Sequence, residues 1–266
     1  MLNLEFQFNG ETKRIQAPLP GDFEAVFFFS VHKAGSSMFD AAVRMLADAS
    51  MRPVFDVEQQ CFDLGLVQRQ WPPEIGALFN LDGYLHTSFR GLPPNISYDM
   101  LARRRKVVLV RNPLDCMVSY YYSVAKSHVL PDAGPMREWI LDQRHDALAE
   151  SLESFVREGG ASFIAGNLRS YIKLLIPRGS TRVYRYEDII FKKREWLIDM
   201  TEYAGIQCDQ ATLDRILEAI DIKPEKENVE AHVRQVSPGQ HKNVLSAETI
   251  ALIKSGYADV FDYFGY

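Results

Sequence analysis

Cysteine is scarce in this sequence of 266 residues, which contains only three: Cys61, Cys116 and Cys208. They are odd in number and far apart, which argues against a disulfide framework, and none belongs to the Cys-x-x-Cys pair of a zinc site. The histidines likewise show no spacing typical of metal ligands. We therefore expect free thiols in a reducing, cytoplasmic compartment and a protein that needs no metal.

Long apolar runs and an excess of basic residues are also missing. The longest apolar run covers about residues 25–31 and is far too short to span a bilayer. Residues 1–13 contain two glutamates and no continuous apolar stretch, unlike a signal peptide. The formal net charge is -5, whereas a protein that coats nucleic acid needs a basic face. We expect no membrane anchor and no nucleic-acid partner, but a small phosphorylated ligand needs only a few cations.

The first residues predict a β-hairpin. Residues 2–8 alternate apolar and polar, Asn9-Gly10 supplies a tight turn, and a second short run follows at 13–17. Prolines at 18 and 20 end the pattern. We place this hairpin in residues 1–20.

The rest of the chain alternates strands with helices. Residues 25–31 and 106–110 are apolar on both faces, as central parallel strands are, and each precedes a helical pattern. Hydrophobic residues make up 47% of the chain, enough for a substantial core. We predict an α/β fold in which residues 1–266 form a single domain, a central parallel sheet flanked by helices.

Weaker patterns complete this outline. Residues 127–146, with Pro131, Gly134 and Pro135, predict a mobile loop or lid. Further strands are expected at 81–88 and 181–186, and helices at 147–158, 162–176, 192–204, 210–220 and from 246 to the last residue.

A first candidate anion site follows the strand at residues 25–31, with the sequence Ser30-Val31-His32-Lys33-Ala34-Gly35-Ser36-Ser37. A loop between a strand end and a helix N-terminus presents free backbone N–H groups and the positive end of the helix dipole. Gly35 permits close approach, Lys33 adds a positive charge, and the serine hydroxyls add donors. The lysine precedes the glycine, unlike in a Walker A loop. On its own, the segment fits an ordinary turn with capping serines equally well.

A second candidate anion site follows the strand at residues 106–110. Arg111 stands at the carboxyl end of this strand, where ligands bind in open α/β sheets. Ser119 lies two helical turns further on, and an arginine with a hydroxyl makes a good phosphate clamp. The alternative is an arginine that pairs with Asp115 in a surface turn, but two strand-end anion sites in one sheet weigh against it.

These motifs resemble those of the PAPS-dependent sulfotransferase family, where PAPS is 3'-phosphoadenosine 5'-phosphosulfate. The segment Lys33-Ala34-Gly35-Ser36-Ser37 is similar to the family's Lys-Ser-Gly-Thr-Thr loop, which binds the 5'-phosphosulfate. Arg111 and Ser119 match the Arg-Asn-Pro-x-Asp-x-x-x-Ser-Tyr-Tyr element, which binds the 3'-phosphate. Tyr186 matches a tyrosine near the adenine, and Arg234 matches an arginine of the C-terminal loop that closes over the 3'-phosphate.

The resemblance implies a P-loop nucleotide-kinase-like fold and a specific reaction. A sulfuryl group would pass from PAPS to a hydroxyl or amine of a small-molecule acceptor, leaving PAP, the desulfated nucleotide. Lys33 would stabilise charge at the reacting sulfate, and no metal would be needed. The identity of the acceptor and whether the chain forms a homodimer stay open.

The general base is the least certain part of the resemblance. Cytosolic members carry a Lys-Thr-His segment whose histidine takes the acceptor's proton, whereas this chain has His86-Thr87-Ser88. Ser88 takes the position of that histidine, but positions 86 and 88 share a face of an extended strand. His86 is therefore the first candidate base, with His128 or a carboxylate as alternatives.

Two other functions remain compatible with these residues. A P-loop nucleotide or small-molecule kinase would have a Gly-Lys-Ser/Thr loop and an acidic residue after an apolar strand to hold Mg²⁺. The loop here does not have that order, and the residue after the strand at 106–110 is Arg111. A PAP-binding protein with impaired catalysis would account for the serine at position 88. Transfer from labelled PAPS, compared with binding alone, separates the three.

Overall fold

A computed structural model of the chain describes residues 1–221 and 236–266. The strands in these residues are β1 (Leu2–Phe8), β2 (Glu11–Ala17), β3 (Val26–Ser30), β4 (Val54–Phe55), β5 (Leu85–Phe89), β6 (Arg105–Val110) and β7 (Thr181–Arg185). The helices are α1 (Ser36–Ala49), α2 (Val57–Asp63), α3 (Ile75–Phe79), α4 (Tyr98–Ala102), α5 (Pro113–Tyr122), α6 (Pro135–Ala149), α7 (Leu152–Arg157), α8 (Ser162–Ser170), α9 (Tyr186–Ile189), α10 (Lys193–Ala204), α11 (Gln210–Ile220), α12 (His241–Val244), α13 (Ala247–Gly256) and α14 (Ala258–Phe264).

The predicted hairpin forms at the N-terminus. Strands β1 and β2 pair antiparallel from Leu2 opposite Ala17 to Phe8 opposite Glu11. Asn9 and Gly10 both have positive φ, at 52° and 81°, which matches the twist of a two-residue turn. The Gln60 side-chain amide then exchanges two hydrogen bonds with the backbone of Gln16, which ties the hairpin to α2.

The remaining strands form one parallel sheet, as predicted, in the order β4-β5-β3-β6-β7. The central strand β3 is buried on both faces. Phe28 packs against Phe39 of α1 on one face, and Phe29 packs against Phe89 and Tyr171 on the other. The short strand β4 was not predicted, because two residues carry too little pattern.

The parallel register brings several chain segments to the same edge of the sheet. The last residues of β3, Phe29 and Ser30, lie opposite Val108 and Leu109 of β6. On the other side Phe29 pairs with Phe89, the last residue of β5. The segments that follow β3, β5 and β6 are therefore neighbours at the carboxyl edge, where α/β proteins bind ligands.

Two predictions about helices need correction. Most of residues 127–146, expected to be a mobile loop or lid, belongs to α6, because Pro135 stands at its first turn after Gly134 and so begins a helix. The chain from residue 246 forms two helices, α13 and α14, which are separated at Tyr257. Helices α5 and α8 each end in a π-helical turn, at Ser123–Ser127 and Tyr171–Leu175.

No helix of the described ranges combines the length and the apolar character that a bilayer span requires.

Candidate active site

The first predicted anion loop connects β3 to α1 and has a strained backbone. Lys33 and Gly35 both have positive φ, at 66° and 87°, and Ala34 N–H closes a tight turn on Val31 O (3.2 Å). Gly35 is the N-cap residue of α1, and it has no side chain to form a capping hydrogen bond. A Cβ on Gly35 would lie 2.9 Å from the Tyr186 ring. Glycine is thus required both by the backbone angle and by the contact.

Arg111 stands beside this loop, immediately after β6. Its Nη1 donates a hydrogen bond to Lys33 O (3.0 Å), and its guanidinium carbon lies 4.4 Å from the centre of the Tyr186 ring. The residue is only 4% exposed. Its Nε and Nη2 have no hydrogen-bond partner in residues 1–221 and 236–266. The nearest carboxylate oxygen, Asp115 Oδ2, is 3.8 Å from Nη2, so the arginine does pair loosely with Asp115 but not in a surface turn.

The other predicted donor-side residues fall around Arg111. Ser119 is half-buried on α5, one helical turn beyond Asp115 and so on the same side of the helix. Tyr186 is buried at the start of α9, and its hydroxyl donates to Val236 O (2.9 Å). Arg234 lies outside the described residues. The structure therefore brings Lys33, Gly35, Arg111 and Tyr186 together.

Asp115 was considered only as a partner of Arg111, but it has a further role in the structure. It is fully buried, and its carboxylate accepts hydrogen bonds from Gly239 N–H (2.6 Å) and His241 N–H (3.1 Å). These contacts dock the segment of residues 236–241 next to Arg111. The aspartate of the Arg-Asn-Pro-x-Asp element was the available signal, but its partner lies 126 residues away in sequence.

His86, the first candidate base, does not face the carboxyl edge. It has no exposed surface, stacks on Phe27 (ring centres 4.3 Å apart), and contacts the rings of Phe55, Phe79 and Tyr84. Burial lowers its pKa to about 3, and neither ring nitrogen has a hydrogen-bond partner among the residues that the structure describes. The side chain is part of an aromatic core. The expectation that it reaches the acceptor therefore needs correction, because no acceptor could contact it in this arrangement.

A carboxylate at the carboxyl edge is better placed, and sequence reasoning did not single it out. Glu58 of α2 accepts a hydrogen bond at Oε2 from the backbone N–H of Arg90 (3.1 Å), directly after β5. Arg90 in turn donates to Ser30 Oγ (3.2 Å), at the start of the anion loop, and to Asp40 Oδ2 (2.6 Å). Part of the surface of Glu58 is exposed to solvent. It thus lies near the segment that carries Lys33.

The electrostatics of Glu58 suit a base. Burial raises its pKa to about 8, and the carboxylates of Asp56 and Asp40 add to this rise, while Arg90 opposes it. Asp56 is held in turn by Ser88 Oγ (2.6 Å) and by an ion pair with Arg44. A carboxyl group with a pKa near neutrality takes up a proton more readily than an ordinary glutamate.

Aromatic side chains line the same edge on the side of α8. The rings of His32 and Phe163 lie 5.1 Å apart, and Trp139 of α6 packs on Phe163 at 6.1 Å. Asn167, one turn beyond Phe163, donates to Arg90 O (3.0 Å), which places this wall next to Glu58.

His128 and the predicted lid join this aromatic wall. The His128 ring lies 6.4 Å from that of Tyr120, which also contacts His32 and Phe163. Arg144 of α6 donates to His128 O (2.8 Å) and Val124 O (3.0 Å). Helix α6 therefore packs beside the aromatic wall and contributes Trp139 to it.

No group of carboxylate, histidine and cysteine side chains in the described part of the chain could hold a metal ion. Lys33 belongs to the loop, and the guanidinium groups of Arg90 and Arg111 donate to Ser30 Oγ and Lys33 O of the same loop.

Comparison with known proteins places this arrangement in a family. A family model for the sulfotransferase domain matches residues 84–250, more than half of the chain. The human protein Sulfotransferase 1C2 is 24% identical over 174 residues, which cover 64% of this chain and 51% of the human protein. The chain thus spans about half the length of this curated relative.

A solved structure shares the fold. The mouse sulfotransferase SULT7A1, complexed with PAP, matches with a TM-score of 0.57 and 12% identity over 97% of this chain and 95% of that chain. Retinol dehydratase in complex with androsterone and inactive cofactor PAP matches with a TM-score of 0.49 and 15% identity, over 89% of this chain and 80% of that one. On the match to the domain model, the chain belongs to the sulfotransferase domain family.

Proposed function

We propose that this chain transfers a sulfuryl group from PAPS to a hydroxyl or amine of a small-molecule acceptor and releases PAP. The observation that carries the proposal is Arg111, a buried guanidinium bonded to the backbone of Lys33 with two nitrogens left without a hydrogen-bond partner in the described residues. Unpaired buried N–H groups are costly, so an anion is the natural partner. Family membership supports PAPS as that anion.

Two anionic groups of the donor fit the two cationic positions. The loop Lys33-Ala34-Gly35-Ser36-Ser37 would bind the 5'-phosphosulfate through backbone N–H groups, the helix dipole and the lysine charge. Arg111 and Ser119, with Arg234, would bind the 3'-phosphate, and Tyr186 would lie on the adenine side. The PAP complex of the mouse relative supports the choice of nucleotide.

Transfer would proceed in line. The acceptor oxygen or nitrogen forms a bond to sulfur while the bond from sulfur to the bridging oxygen of PAPS breaks, and PAP leaves with that electron pair. Lys33 and the loop N–H groups would stabilise the charge that develops on the bridging and equatorial oxygens. These groups are arranged before the reaction, so stabilisation needs little reorganisation.

Glu58 is our candidate for the general base. It is partly exposed near the carboxyl ends of β3 and β5, and its raised pKa allows it to accept the acceptor's proton as the new bond to sulfur forms. His86 is enclosed by aromatic rings, whereas His128 contacts the ring of Tyr120 in the aromatic wall and stays an alternative base. The serine at position 88 then has a different task, because its hydroxyl bonds to Asp56.

The acceptor side supports a small molecule. The aromatic wall of His32, Tyr120, Phe163 and Trp139 suits an acceptor with an apolar body. The three free cysteines support a reducing compartment, and we propose that the protein works in the cytoplasm. A homodimer stays a prediction.

The direct experiment measures transfer from ³⁵S-labelled PAPS to a panel of phenols, alcohols and amines, with PAP binding followed in parallel. We expect labelled product from at least one acceptor, formed equally in the presence of EDTA. Binding of PAP without any transfer would favour the catalytically impaired alternative. Phosphoryl transfer from ATP with Mg²⁺ would favour the kinase alternative.

The variant Lys33→Ala tests the role of the lysine. We expect kcat to fall about 10²- to 10³-fold, as when one preorganised oxyanion donor is removed, while PAP still binds. The matched control is Lys13→Ala, which removes a lysine that pairs with Glu11 on the hairpin. Turnover of Lys33→Ala close to that of wild type would refute the role.

A further inference from the structure

One buried carboxylate holds the segment of residues 236–241 against the body of the protein. Asp115 Oδ2 accepts from Gly239 N–H (2.6 Å), and Oδ1 accepts from His241 N–H (3.1 Å). His241 Nδ1 lies 2.6 Å from the same Oδ1, and Gln240 Nε2 donates to Asp115 O (3.2 Å). The side chains of Asp115 and His241 are 0% and 4% exposed. This segment therefore has a specific, dehydrated docking point on α5.

The docking point adjoins Arg111 rather than some other part of the surface. Asp115 Oδ2 lies 3.8 Å from Arg111 Nη2. The other end of the segment is held by the Tyr186 hydroxyl, which donates to Val236 O (2.9 Å), and the Tyr186 ring lies under the Arg111 guanidinium (4.4 Å). The two anchors of residues 236–241 are Tyr186 and Asp115. The Tyr186 ring contacts the Arg111 guanidinium, and the Asp115 carboxylate forms a loose ion pair with it.

The carboxylate of Asp115 hydrogen-bonds to the segment, whereas its pairing with the arginine is loose. Burial acts to raise the pKa of Asp115, but the hydrogen bond with His241 and the positive charge of Arg111 outweigh it and hold the pKa below its usual value. The ionised carboxylate accepts three hydrogen bonds at closer range than Arg111, which stands at 3.8 Å. Arg111 Nε and Nη2 consequently have no hydrogen-bond partner within the described residues and keep their capacity for an anion.

We propose that Asp115 is a positioning residue for recognition of the 3'-phosphate: it locks residues 236–241 beside Arg111, so that the two bind this phosphate together. The inference rests on the proposed function, since it takes Arg111 to be the 3'-phosphate ligand. The discrimination between PAP and a nucleotide without a 3'-phosphate would then depend on the side chain of Asp115, although Asp115 need not contact either nucleotide.

Two nucleotides that differ only in the 3'-phosphate test the proposal. Isothermal titration of PAP and of adenosine 5'-phosphate would be compared for wild type and Asp115→Asn. An amide cannot accept from all three donors, so we expect PAP affinity to fall about 10- to 100-fold, the loss typical of a broken hydrogen bond to a charged group. The affinity for adenosine 5'-phosphate should change less than about 3-fold, because it makes no use of Arg111 or the docked segment.

Since a buried aspartate can also be needed for folding, a milder variant accompanies it. His241→Phe removes one donor and leaves the two backbone N–H groups on Asp115, and we expect the same selective loss at about 3- to 10-fold. The matched control is Glu153→Gln. Glu153 also stands in the first turn of a helix and binds the C-terminal region, through Ser246 and Thr249, but a few residues beyond the docked segment.

The outcomes are distinct. Equal loss of both nucleotides in Asp115→Asn and His241→Phe, or the same selective loss in Glu153→Gln, would show a general structural effect and overturn the proposal. Unchanged PAP affinity in Asp115→Asn would also overturn it. If wild type itself fails to prefer PAP over adenosine 5'-phosphate, the donor assignment in the proposed function fails instead.

Discussion

Two carboxylates near the carboxyl edge of the sheet have opposite properties because their surroundings differ. Asp115 accepts three hydrogen bonds and lies near Arg111, so its pKa is lowered in spite of burial. The pKa of Glu58 is raised to about 8 by burial and by neighbouring carboxylates, and Arg90 opposes this rise. At neutral pH the first is a fixed negative charge that orders a segment, and the second can exchange a proton. This difference is the reason to assign them different roles.

The base assignment predicts a pH profile. Only the ionised form of Glu58 can accept a proton, so kcat/KM should rise with pH, by up to tenfold per unit below about pH 8, and level off above it. Glu58→Gln should lower kcat by about 10²- to 10⁴-fold and abolish this rise. Initial rates from pH 6 to 9.5 at saturating PAPS provide the measurement. Asp63→Asn, at the far end of the same helix, is the control. A profile that survives in Glu58→Gln would assign the titration to another group.

Glu58 also affects stability in a calculable direction. Its pKa is higher in the folded state, so the folded protein binds more protons than the unfolded chain between about pH 4.5 and 8. Stability from this residue is therefore lost as pH rises through that window. Glu58→Gln should unfold at a higher temperature than wild type at pH 9, which separates lost catalysis from lost folding.

His86 provides the opposite case. Its pKa is lowered to about 3, so the unfolded chain binds a proton below about pH 6.5 that the folded protein refuses, and stability is lost as pH falls. We expect His86→Phe to keep transfer activity within about 3-fold and to reduce the difference in Tm between pH 7 and pH 5, because phenylalanine has no group that titrates in this range. A hundredfold loss of activity at unchanged Tm would return His86 to the list of candidate bases.

At the scale of elements, the β3-loop-α1 unit depends on one glycine. Gly35→Ala must adopt φ near 87° and place its Cβ 2.9 Å from the Tyr186 ring. We expect a loss of about 1–2 kcal/mol in unfolding free energy from the backbone alone, and weaker PAP binding because Tyr186 must move. Denaturant unfolding and PAP titration are the measurements.

The control for this glycine is Gly10→Ala in the hairpin turn. Gly10 has φ 81° but no atom within 4 Å of an added Cβ, so it reports backbone strain without a clash. It should lose similar stability and no PAP affinity. Equal PAP affinity in both variants would show that the contact between Gly35 and Tyr186 does not shape the site.

Helix α6 shows how local signals can be read in two ways. Gly134 and Pro135 indicate a loop when they are counted as breakers, yet proline at the first helical position and glycine before it also begin a helix. Packing decided between them. Gly65 and Gly134 approach so closely that an added Cβ on Gly65 would lie 2.2 Å from Ala133 O, and Met136 N–H bonds to Gly65 O (2.8 Å).

At the scale of the whole molecule, PAP should stabilise the fold, because its proposed ligands belong to the segments that follow β3, β6 and β7. A ligand at 100 times its Kd adds about 2.7 kcal/mol, which corresponds to a rise in Tm of roughly 5–11 °C for a domain of this size. We expect PAP to raise Tm more than adenosine 5'-phosphate does in a thermal scan, and we expect EDTA to leave this rise unchanged. A larger shift with ATP and Mg²⁺ than with PAP would favour a kinase.

The sequence by itself determined the fold class and the hairpin, and it predicted the residues of the donor side. Apolar strands, their turn residues and the motifs around Lys33 and Arg111 are short and local, so their meaning does not depend on distant residues. The loop at 30–37 lies outside residues 84–250, which the family model of the sulfotransferase domain matches. Its proposed role therefore rests on its sequence and on its position beside Arg111.

Only the tertiary structure brought together the residues proposed for the acceptor side and docked residues 236–241 on α5. Glu58 meets Arg90 across 32 residues, and Asp115 meets His241 across 126, and no spacing rule links such pairs. Burial decided the fate of His86 in the same way. A histidine on a strand faces either a ligand or the core, and what packs against that face, here the rings of Phe27, Phe55 and Phe79, is set by the fold as a whole.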